Sequence, residues 1–114
     1  MITVEKLNQF GADTQDGISR CMGMDSLYLK LVGMAPDEKN FDLLKDAIEA
    51  NNLDQAFEAA HALKGVMANL SLTPLSEKVI EITELLRKRT ETDYGPLLND
   101  ILDLRDKLRE LCAD

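Results

Sequence analysis

Leu75, Val79, Ile82 and Leu86 follow one another at steps of four, three and four residues. That spacing puts all four on one side of an α-helix and on no consistent side of a strand. The same period recurs along the chain. Phe41, Leu44, Ala47 and Ile48 share a face over residues 40–50, and Leu97, Leu98, Ile101, Leu104, Leu108 and Leu111 share one over 94–112. No segment alternates apolar and polar residues as a half-buried strand requires. Leucine dominates the apolar residues, aromatics are 4% and tryptophan is absent, a composition that suits helices better than sheets. An all-α chain is expected.

Caps and breakers divide the helices. Thr3 opens a short helix that ends before Gly11, and Asp13 or Thr14 opens a second one carrying Ile18 and Cys21. Asp25 or Ser26 starts a third, with Leu27, Leu31 and Met34 as its inner face, stopped by Ala35-Pro36-Asp37. Asn51-Asn52 is a turn, and a long helix runs from Leu53 or Asp54 to Leu70. Thr73 is the expected cap of the next helix, with Pro74 in its first position, and Pro96 falls in the first turn of the last. Short connections make consecutive helices antiparallel. The expected architecture is an up-down antiparallel four-helix bundle with short additional N-terminal helices. It forms one domain over residues 1–114, with the short helices in 1–24 and the bundle in 25–112.

Charge narrows the partners. The formal net charge is −8. Phosphate backbones and anionic membranes attract basic surfaces, so nucleic acid and membrane are both disfavoured. No secretion signal or membrane-spanning run is recognisable, and a cytoplasmic, monomeric protein is expected. Cys21 and Cys112 form no CxxC pair and read as reduced, small apolar residues.

The helix over residues 53–71 carries His61, the one histidine in 114 residues. Phe57, Ala60, Leu63 or Lys64, Met67 and Leu70 mark its expected core stripe. His61 lies roughly 120° from the centre of that stripe and should face outward. Gly65 and Ala68 share its face, so little bulk surrounds the ring. A glycine inside a helix costs about 1 kcal/mol relative to alanine. Close approach by another molecule is a physical reason to accept that cost. An imidazole keeps a nitrogen lone pair at neutral pH, which makes it a nucleophile. Lys64, three residues on, can bring an ammonium near the ring and offset phosphoryl charge.

The run His61-Ala62-Leu63-Lys64-Gly65, with Ala68 and Ser71-Leu72 after it, resembles the H-x-L-K-G signature of histidine-containing phosphotransfer (HPt) domains of bacterial phosphorelays. The resemblance extends over residues 26–112. It implies a phosphocarrier without kinase activity of its own, with His61 as phosphoacceptor and Lys64 stabilising the phosphoryl charge. Gly65, Ala68 and Glu58 would form the partner-binding face. Response-regulator receiver domains and a histidine kinase would be the partners. The carrier would need no cofactor, because Mg²⁺ sits on the receiver. A polar residue on the next helix often orients the histidine in this family; Thr83 is the nearest match here, where glutamine is more usual. The family commonly has glycine ten residues after the histidine, and this chain has Ser71, which is strained if positive φ is required there.

Competing readings are weaker. Glu58 and His61 have the Glu-x-x-His spacing of di-metal bundles, but one outward-facing histidine leaves the ligand set incomplete, and no metal is expected. The alternative function is a helical interaction domain that binds receivers without transfer.

Overall fold

Helices form where the apolar periods place them, and three of them begin at side-chain caps. The computed structural model describes residues 1–113, so Asp114, the end of the expected domain, lies outside it. Seven α-helices follow in order: α1 (Val4–Phe10), α2 (Thr14–Arg20), α3 (Asp25–Met34), α4 (Asn40–Glu49), α5 (Leu53–Asn69), α6 (Thr73–Arg87) and α7 (Gly95–Cys112). A single 3₁₀ turn, Ala35–Asp37, joins α3 to α4. No strand occurs among the described residues. Thr3, Asp13 and Asn52 each accept a hydrogen bond from a backbone N–H three residues on, capping α1, α2 and α5. Thr73 is not a cap. It is the first helical residue of α6, Leu72 is the cap, and Pro74 sits in the first turn.

Four helices build the bundle. α4 packs beside α5, α5 beside α6, and α6 beside α7, which reaches back to α4. Leu75, Val79, Ile82 and Leu86 are all fully buried, as their spacing predicts. They meet Phe41 and Leu44 of α4, Leu63 and Met67 of α5, and Ile101 and Leu108 of α7 in one core. Full burial of such a side chain stabilises the fold by about 1.5–3 kcal/mol. Leu97, Leu104 and Leu111 stay half-buried at the edge of α7. Tyr94 staples the α6–α7 connection by donating its hydroxyl to the Thr90 carbonyl at 2.7 Å.

The inner face of α3 differs from expectation. Tyr28 and Val32 are buried, whereas Leu31 and Met34 are exposed. The cause lies outside α3. The Tyr28 ring fills the space over Gly17, and its hydroxyl donates to the Leu70 carbonyl at 2.9 Å. Burial pushes the Tyr28 phenol up to about 12.

That contact is part of a clamp on the turn between α5 and α6. Ser71 has φ of 53°, in the left-handed region that glycine tolerates best. Its side chain supplies what a glycine lacks. The Ser71 hydroxyl donates to the Asp16 carboxylate, and the Ser71 carbonyl accepts from the Asp13 N–H at 2.9 Å. The hydrogen bond from Ser71, and then that from Arg20, hold the Asp16 carboxyl below its usual range. Thus α2 and α3 fix the end of α5, ten residues past His61.

Candidate functional site

Ala56, Ala59, Ala60, Leu63 and Met67 form the buried face of α5. Three of the five are alanines, and α4 and α6 pack on either side of this face. Phe57, expected in this stripe, is only partly buried and lies at its rim. With the stripe centred near Ala56 and Leu63, His61 points about 150° away from it at 100° per residue. His61 is exposed, as are Glu58, Gly65 and Ala68. The outward ridge of α5 therefore presents the imidazole beside two small residues. A Cβ built on Gly65 would meet no atom within 4 Å. Nothing inside the protein requires a glycine there.

The imidazole has no hydrogen-bond or ion-pair partner among the described residues. Its neighbour is Phe57, one turn earlier, with ring centroids 5.8 Å apart and planes 18° apart. The Arg87 guanidinium of α6 lies over the same phenyl ring, 5.1 Å from its centroid. Phe57 and Arg87 are not among the site residues that the sequence predicts. For Phe57 the signal is its i, i+4 spacing from the second ring, His61, on one helix edge, whereas Arg87 stands on another helix and has no such local signal. Lys64 is half-buried, one turn on from His61, and its ammonium has no ion-pair partner among the described residues. Glu58 lies on the other rim, where it lines a shallow groove with Asn40, Leu43, Gln55 and Ala59 between α4 and α5.

Thr83 does not orient the histidine in this structure. Its side chain is fully buried, and its hydroxyl donates to the Val79 carbonyl of its own helix at 2.6 Å. A threonine in a helix can satisfy its hydroxyl this way when it faces the core. No group of three or more His, Cys, Asp or Glu side chains is arranged to hold a metal among the described residues. No described helix is long and apolar enough to cross a membrane.

Residues 37–114, roughly two thirds of the chain, match the family model of the Hpt domain. The chain belongs to the Hpt domain family. Hpt domains are helical bundles that carry phosphoryl groups on histidine in phosphorelays. The Hpt match contains α4–α7 and His61, while α1–α3 precede it. No curated protein and no solved structure matches the chain significantly.

Proposed function

We propose that His61 is the phosphoacceptor of this Hpt domain and exchanges its phosphoryl group with the aspartate of a receiver domain. With the ring proton on Nδ1, the Nε2 lone pair attacks the phosphorus of an aspartyl phosphate. The N–P bond forms as the P–O bond to the aspartate breaks, and the carboxylate leaves with the electron pair. Positive charge on the ring is relieved when Nδ1–H releases its proton to water. The reverse step passes the phosphoryl group to a second receiver. Mg²⁺ on the receiver would neutralise the phosphoryl oxygens, so the carrier needs a reachable nucleophile and a face for docking.

The observation that carries this reading is the exposed imidazole on the ridge of α5, with open space over Gly65 beside it. Lys64 is assigned the task of offsetting phosphoryl charge. Gly65, Ala68 and Glu58 are assigned to the docking face. A histidine kinase would load the relay, and the net charge of −8 suits a monomeric cytoplasmic carrier. Incubation with a phosphorylated receiver domain tests the reading. The protein should gain a base-stable, acid-labile label that His61→Gln abolishes. A protein that binds the receiver but takes no label is instead the non-transferring interaction domain.

A further inference from the structure

An exposed imidazole without a hydrogen-bond partner is free to turn. The χ2 torsion of histidine is broad, so an unrestrained ring sweeps its nitrogens through many directions. That matters for a nucleophile, because the nitrogen lone pair lies in the ring plane. The plane therefore sets the direction from which phosphorus must be approached. No hydrogen bond to the ring comes from Thr83, the nearest candidate for an orienting polar residue, because its hydroxyl is buried and donates to the Val79 carbonyl. Something else has to hold the ring.

A continuous stack runs from α6 to α5. Glu84 accepts a hydrogen bond from Arg87 Nε at 3.3 Å. The Arg87 guanidinium lies over the Phe57 ring, within the distance at which a cation is drawn to an aromatic face. The Phe57 ring in turn lies nearly parallel to the His61 imidazole, within the range of stacked aromatic pairs. Phe57 is partly buried against the core, which anchors the stack. We propose that Phe57, clamped by Arg87, is a positioning residue that fixes the plane of the His61 imidazole for phosphoryl transfer. The proposal rests on His61 being the phosphoacceptor.

The lone histidine makes the stack directly measurable, because every imidazole C–H signal in a proton NMR spectrum belongs to His61. A ring lying over an aromatic face is shielded. The His61 signals of the wild type and of Phe57→Tyr should lie upfield of those of Phe57→Leu, which keeps apolar bulk over the core. Arg87→Gln should fall between them. Circular dichroism verifies that each variant is folded. With a phosphorylated receiver domain as donor, Phe57→Leu should accept phosphoryl about three- to tenfold more slowly than the wild type. Phe57→Tyr should restore the rate. Ring signals unmoved by Phe57→Leu, or equal transfer rates for the leucine and phenylalanine proteins, would overturn the proposal. A wild type that accepts no phosphoryl while its ring signals remain shielded refutes the carrier reading instead, so the two failures are distinguishable.

Discussion

Replacing Gly65 by alanine should make the protein more stable and a poorer phosphocarrier at once. Gly65 lies inside α5, with ordinary helical neighbours on both sides. A Cβ at this position meets no atom within 4 Å, so neither overpacking nor strain opposes the change. The helix-propensity difference then acts alone and favours alanine by about 0.8–1 kcal/mol. With a urea m-value of roughly 1–3 kcal/mol/M, the unfolding midpoint should rise by about 0.3–1 M. The added methyl projects from the ridge beside His61, where a receiver has to come close. If it intrudes on a packed interface, overpacking of roughly 1–3 kcal/mol corresponds to a transfer rate lower by about 5- to 160-fold. Urea denaturation followed by circular dichroism measures the first effect, and transfer from a phosphorylated receiver measures the second. A Gly65→Ala protein that transfers at the wild-type rate would refute the argument that this glycine exists for an outside visitor. One that is less stable would refute the structural premise.

Gly17→Ala should act in the opposite direction: its Cβ would run into Cε1 of the buried Tyr28 ring, and overpacking should lower stability by about 1–3 kcal/mol in the same denaturation assay. The Asp16 carboxyl is held low in the folded state, so its contribution is present at neutral pH and is lost as pH falls through the folded value. Ser71→Ala should flatten that acid-side loss in a series of melting temperatures against pH. Tyr28, pushed up to about 12, is neutral in the fold at pH values where an exposed phenol ionises. Stability should therefore fall as pH rises from about 10 toward 12, and Tyr28→Phe should remove much of that dependence in alkaline melts.

What could be read from the chain depended on how far each determinant lay from the residue it fixes. The α6 stripe was legible because four large apolar residues stand among charged ones at an unbroken helical period. The inner face of α3 was not. Leu27, Tyr28, Leu29, Leu31, Val32 and Met34 crowd one short helix, so more than one apolar face fits. The choice is made by the Tyr28 hydroxyl reaching Leu70 and by the gap at Gly17, neither of which is local. On α5 the buried stripe runs along the alanines. Phe57 outweighs Ala56 and Ala59 in apolar bulk, yet the face packed against α4 and α6 holds the small residues and leaves Phe57 at its rim. The outward direction of His61 survived that shift because the residue lies more than about 100° from the centre of either stripe. Ser71 was legible as a strained turn position, whereas its partner Asp16, fifty-five residues away, was not. Thr83 had two possible acceptors, and burial gave its hydroxyl to the Val79 carbonyl.

The most direct measurement is the chemical position of the phosphoryl group after the folded protein has met a phosphorylated receiver domain. Phosphorus and nitrogen NMR on the labelled protein identify it. A phosphoramidate bond at Nε2 of His61, absent from a folded His61→Gln variant, is the predicted result. A phosphate ester on a hydroxyl, or a protein that remains unmodified, would contradict it.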